Sequence, residues 1–74
     1  MLSSELRPRE WQVLGLLATG ATNAEIATAL SLAQGTVRNV VAHLTVKLGV
    51  ADRTQAALLG ARAGLGPLES ETAA

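Results

Sequence analysis

Between Gln34 and Leu48 the chain carries Arg38, Asn39, His43 and Lys47 and no acid at all. A guanidinium and a carboxamide each offer two-point hydrogen bonding. Arg38 has the donors that guanine accepts, Asn39 has the donor and acceptor that adenine completes, and Ala42 supplies a methyl of the kind that touches the methyl of thymine. Each good two-point pair discriminates against a wrong base by ~1–3 kcal/mol. Other readings stand beside these. Arg38 is equally suited to a phosphate contact alone, and Asn39 to plain exposure. Catalysis would need a different set: His43 has no evident nucleophile or orienting acid, and the chain shows no glycine-rich phosphate loop and no triad pattern. A single histidine without cysteine cannot close a zinc site, and no disulfide can form. The chemistry expected is binding: no enzyme, no cofactor and no metal.

Net charge is zero over 74 residues, which at first argues against a polyanionic partner. The distribution changes that. Three of the six acids, Glu5, Glu69 and Glu71, lie near the ends. From Arg7 to Leu65 six basic residues (Arg7, Arg9, Arg38, Lys47, Arg53, Arg62) face three acidic ones (Glu10, Glu25, Asp52), a balance of +3. The footprint is modest. Composition points to helices, with 14 alanines and 13 leucines against one aromatic, Trp11. A chain this short makes one domain. Its longest stretch without a formal charge, Trp11 to Ala24, is too short and too polar to span a bilayer. The first residues, Met1-Leu2-Ser3-Ser4-Glu5, lack the basic-then-apolar order of a secretory signal. A cytoplasmic, all-α domain is the expectation.

Stops and starts divide the chain into four short helices. Pro8 suits a first helical position, and Glu10, Val13, Leu14 and Leu17 then share one sector until Gly20 ends the turn. Thr22 with Glu25 makes a capping box for a second helix carrying Ile26, Ala27 and Leu30 on one side. After Ser31-Leu32-Ala33, a third helix repeats Val37, Val41, Leu44 and Leu48 as one apolar stripe up to Gly49. Asp52 with Gln55 is a second capping box, and Ala56, Ala57 and Ala61 make a fourth helix thin enough to lie close against its neighbours. Gly64 stops it, and Leu65 is placed for the apolar contact that often follows. Residues 1–5 are expected as an N-terminal tail, 6–65 as the domain and 66–74 as a flexible C-terminal tail.

A short helix, a three-residue connection and a longer helix are helix-turn-helix geometry, in which the second helix enters the major groove of DNA. A small helical bundle that never touches DNA shows the same pattern. With the valine and leucine stripe turned inward, the opposite face of the third helix presents Gly35, Asn39, Ala42 and Val46, flanked by Arg38, Thr36 and His43. Thr22 and Asn23 open the second helix, where unpaired N–H groups and the helix dipole attract phosphate. Thr36, Lys47, Arg9 and Arg53 are further candidates for phosphate. Thr22 also reads as a plain cap, and Lys47 as a solvated lysine near a helix end. Glu10 is the odd acid on an apolar face, and a buried carboxylate needs a cation, here Arg53 or Lys47.

Leu6-Arg7-Pro8-Arg9-Glu10, Val13-Leu14, Gly20, Asn23-Ala24-Glu25-Ile26-Ala27, Thr36-Val37-Arg38-Asn39, Lys47-Leu48-Gly49-Val50 and Arg53-Thr54-Gln55-Ala56 occur in this order. Together they resemble the LuxR-type (GerE-like) helix-turn-helix domain of bacterial transcription regulators, from about Leu6 to Leu65. The promoter-recognising domain of sigma factors shares the Glu-x-x-Val-Leu and Glu-Ile-Ala elements but lacks the Lys-Leu-Gly-Val segment and the helix after it. The resemblance implies a four-helix DNA-binding output domain in which Arg38, Asn39, Ala42 and His43 read bases and Thr22, Asn23, Thr36 and Lys47 hold phosphate. It also implies a homodimer through the fourth helix. With Ala57 and Ala61 turned inward, Gln55, Leu58, Leu59 and Arg62 fall on that dimer face, and Leu59 is expected exposed. Two copies then place their third helices about one DNA turn, ~34 Å, apart. Beyond double-stranded DNA and a second copy, RNA polymerase or a regulatory domain outside this sequence are the partners implied, with no membrane and a nucleoid-associated location.

The chain departs from the family pattern at several places. Arg7 stands where Thr or Ser is usual, and Ala33 where Ser is usual. Losing such a cap typically costs about 1 kcal/mol. Gly35 in the opening turn of the third helix costs up to ~1 kcal/mol relative to alanine. Trp11 occupies a usually polar position at the edge of the core face and is expected half-buried.

Overall fold

A computed structural model describes residues 6–64. The expected tails, residues 1–5 and 66–74, and the contact expected of Leu65 lie outside them. Among the described residues there are four helices and no strand: α1 (Pro8–Ala18), α2 (Asn23–Leu30), α3 (Gln34–Leu48) and α4 (Arg53–Arg62). Each boundary has a local cause. Pro8 opens α1 without forfeiting an N–H bond. Arg7 supplies no side-chain cap there, but Glu10 reaches back, its Oε1 accepting the Arg7 backbone N–H at 2.8 Å. Half of a capping box therefore survives the missing Ser or Thr. The Thr22–Glu25 box is complete: Thr22 Oγ1 accepts from the Glu25 N–H at 3.1 Å, and Glu25 Oε1 from the Thr22 N–H at 2.8 Å.

At Asp52 the expected box changes form. Asp52 Oδ1 accepts from the Gln55 N–H at 3.0 Å, whereas Gln55 Oε1 accepts from the N–H of Ala51, one residue before the cap. α3 ends at Gly49, whose φ of 70° is the left-handed turn that lets its N–H reach back to Thr45 and Val46.

The core is a single cluster. Val13, Leu14 and Leu17 of α1, Ile26 and Ala27 of α2, Val37, Val41 and Leu44 of α3, Ala56 of α4 and Leu6 are buried, with Trp11, Leu30 and Leu48 half-buried against them. α1 packs most extensively on α4, and α2 on α3. The apolar stripes of the first three helices are thus the ones their spacing predicts.

The phase of α4 is not. Ala56 and Gly60 face inward, Ala57 is half-buried and Ala61 is exposed. Leu59, expected exposed, is half-buried, while Leu58 is exposed at 52%. The cause is Gly60. A Cβ placed there would lie 3.1 Å from Cγ and Cδ1 of Leu14 and 3.3 Å from its carbonyl oxygen. The leucine of α1 occupies the space a side chain on α4 would need, so the two helices meet backbone to side chain.

Candidate nucleic-acid interface

α3 is the element that can present a reading face. Its inward stripe, Val37, Val41 and Leu44, is buried, and helical rotation then turns Arg38, Asn39, Ala42, His43 and Val46 outward, where all five are exposed. Val46 is the most exposed large hydrophobic residue described, at 79%. A Cβ at Gly35 would sit at an ordinary contact distance, 3.6 Å, from a terminal nitrogen of Arg38, so the guanidinium lies back along the first turn of α3. Side chains on a helix point toward its N-terminus, and in a helix-turn-helix that end approaches the bases. Thr36 is also exposed in this turn.

The remaining candidates divide. Thr22 is exposed at the start of α2 with its oxygen engaged as a cap. Asn23 is half-buried, and its Oδ1 accepts a hydrogen bond from Arg53. Arg53 also donates to the carbonyl oxygen of Ala21 at 2.9 Å. It is therefore not the partner of Glu10, and spacing alone held no signal for this pairing across 30 residues. The cation that Glu10 finds is Lys47, with Nζ 2.8 Å from the Oε1 that also caps Arg7. Of the residues on α4, Gln55, Leu58 and Arg62 are exposed and Leu59 half-buried. Arg9 is exposed on the first turn of α1.

Glu10 titrates low for a carboxylate. The Lys47 hydrogen bond is the main cause and the Arg7 N–H the next, and together they outweigh the upward push of burial. A carboxylate with a depressed folded pKa contributes stability above its unfolded value and loses it as pH falls through the folded one. Melting temperature should therefore hold from about pH 7 down to the ordinary value of 4.5 and drop below it, and Glu10→Gln should flatten that acid limb. Circular-dichroism melts across this range make the check. An unchanged acid limb in Glu10→Gln would place the titrating group elsewhere.

Among the described residues no group of three His, Cys, Asp or Glu is placed to hold a metal ion, and no helix is long and apolar enough to cross a membrane. What the site can do is donate hydrogen bonds and carry positive charge along one helix. Residues 4–59 match the family described as bacterial regulatory proteins, luxR family.

The chain belongs to the LuxR family. It is 46% identical over 61 residues to the transcriptional regulatory protein LnrK of Bacillus subtilis (strain 168), and 48% identical over 61 residues to YhcZ of the same strain, an uncharacterized transcriptional regulatory protein. Each match covers 82% of this chain and 28% of the relative. The transcriptional regulator MalT of Yersinia pestis (strain Pestoides F) is 46% identical over 54 residues, 73% of this chain and 6% of MalT. The chain therefore spans 28% or less of the length of these three relatives. The solved structure of the transcription factor GerE superposes with a TM-score of 0.71 at 35% identity, covering 85% of this chain and 94% of that one. The LuxR-family helix-turn-helix is a DNA-binding unit of transcription regulation.

Proposed function

We propose that this LuxR-family domain binds double-stranded DNA sequence-specifically, as the output domain of a bacterial transcription regulator in the cytoplasm, with no catalytic role of its own. α3 enters the major groove. Arg38, Asn39, Ala42 and His43 read base edges, while Thr22, Asn23, Thr36 and Lys47 hold phosphates. Two copies associate through Gln55, Leu58, Leu59 and Arg62 of α4. The observation that carries this reading is the exposure of Arg38 and Asn39 on the face of α3 opposite its buried valines and leucine. The exposed Leu58 supports the dimer face, and a regulatory domain or RNA polymerase would meet the domain outside the groove.

One observation favours a second reading, a helix-turn-helix used mainly for dimerisation or docking on another protein. α3 carries only two full cations, and one of them, Lys47, is paired with Glu10. Selection from random duplexes separates the two. The DNA reading predicts enrichment of a two-fold site whose halves are centred about 10 base pairs apart. No enrichment at low salt would leave the docking reading.

A further inference from the structure

Arg53, the first residue of α4, is half-buried, and its guanidinium bridges Oδ1 of Asn23 and the carbonyl oxygen of Ala21. A guanidinium holds only donors, so the Asn23 carboxamide must turn its oxygen toward Arg53 and its NH2 group away. That NH2 has no partner among the described residues. No buried side-chain nitrogen or oxygen there lacks one either, so the NH2 lies at the surface, at the first position of α2.

Among the described residues no carboxylate lies within ion-pair distance of Arg53. The ion pair of the described residues is Lys47–Glu10, Asp52 is turned to the Gln55 N–H, and Glu25 is turned to the Thr22 N–H. A half-buried cation and an outward carboxamide donor thus share the corner at the start of α2, where the Glu25 carboxylate already accepts the Thr22 N–H.

We infer that Arg53 is a positioning residue for DNA: it locks the Asn23 carboxamide with its NH2 presented to a backbone phosphate and adds its own charge behind that contact. The inference rests on the DNA-binding reading above. It changes the part played by Arg53, which acts on phosphate through Asn23 and not by direct contact.

Asn23→Asp is the discriminating variant. It keeps the oxygen that Arg53 grips and replaces the outward NH2 with a second carboxylate oxygen. An aspartate in the first turn of a helix and beside a guanidinium is favourable, so the melting temperature should hold or rise. Affinity for a short mixed-sequence duplex should nevertheless fall by at least about tenfold, the loss of one charge-assisted hydrogen bond. Arg53→Lys keeps the charge but cannot span both acceptors. It should weaken binding in the parent chain and change nothing further in an Asn23→Ala background, the non-additivity expected of residues acting through one another.

Parent-level DNA binding by Asn23→Asp, while the parent itself binds in a salt-dependent way, would overturn the positioning role and leave the DNA reading standing. So would additive effects of Arg53→Lys and Asn23→Ala, or a marked drop in the melting temperature of Asn23→Asp. A parent chain that binds no duplex at low salt would overturn both.

Discussion

Gly60→Leu is expected to cost about 3 kcal/mol or more, at or beyond the top of the ~1–3 kcal/mol range for overpacking a well-filled core. The position of Gly60 is already occupied, since even a single Cβ would lie 3.1 Å from the Leu14 side chain and 3.3 Å from its backbone oxygen. Leu14 is fully buried and cannot swing into solvent. A leucine at 60 must therefore lift α4 off α1, the most extensive helix pairing among the described residues. A domain of this size holds only roughly 4–11 kcal/mol in total, so the melting temperature should drop by roughly 10 °C or more. Gly60→Ala is the companion. Its methyl meets Cγ and Cδ1 of Leu14 at 3.1 Å and the backbone oxygen at 3.3 Å, a strain that ~1 kcal/mol of helix propensity offsets only in part, so it should melt below the parent but well above Gly60→Leu. If thermal denaturation found Gly60→Leu as stable as the parent, α4 would not be seated on Leu14.

The second large effect is on recognition. Arg38→Ala and Asn39→Ala should each reduce the preference for a selected site over mixed-sequence DNA by about 1–3 kcal/mol, roughly tenfold to a hundredfold. Neither side chain is part of the core, so melting temperature should hold. Lys47→Ala should differ in kind, weakening binding to all sequences alike and flattening its salt dependence. It should also lower stability, because it strands Glu10, which is 9% exposed at its side chain and depends on Lys47. Competition binding with selected and scrambled duplexes makes the comparison. Unchanged affinity and unchanged site preference in Asn39→Ala would mean that the exposed face of α3 does not read bases.

Most of the fold was legible because three helices write their inward faces in large apolar residues. Val37, Val41 and Leu44 repeat at helical spacing, and Thr22 with Glu25 marks a helix start by a mechanism that works locally. α4 was not legible in the same way. Alanine and glycine give almost no contrast between faces, and the residue that sets its phase, Gly60, contributes an absence that only the position of Leu14 makes meaningful. For the site, exposure of Arg38, Asn39, Ala42 and His43 followed from rotating the stripe inward. Contacts between distant segments did not follow. Spacing left Glu10 with two possible cations, and the choice of Lys47 over Arg53 depends on where α4 begins relative to α2.

The salt dependence of binding to a mixed-sequence duplex tests the central claim most directly. A dimer that lays α3 in the groove and neutralises about 6–8 phosphates should show a log–log slope of roughly −5 to −7, losing orders of magnitude in affinity between about 50 mM and 200 mM salt. Undetectable binding at the low end of that range, or an affinity that stays flat across it, would contradict the account.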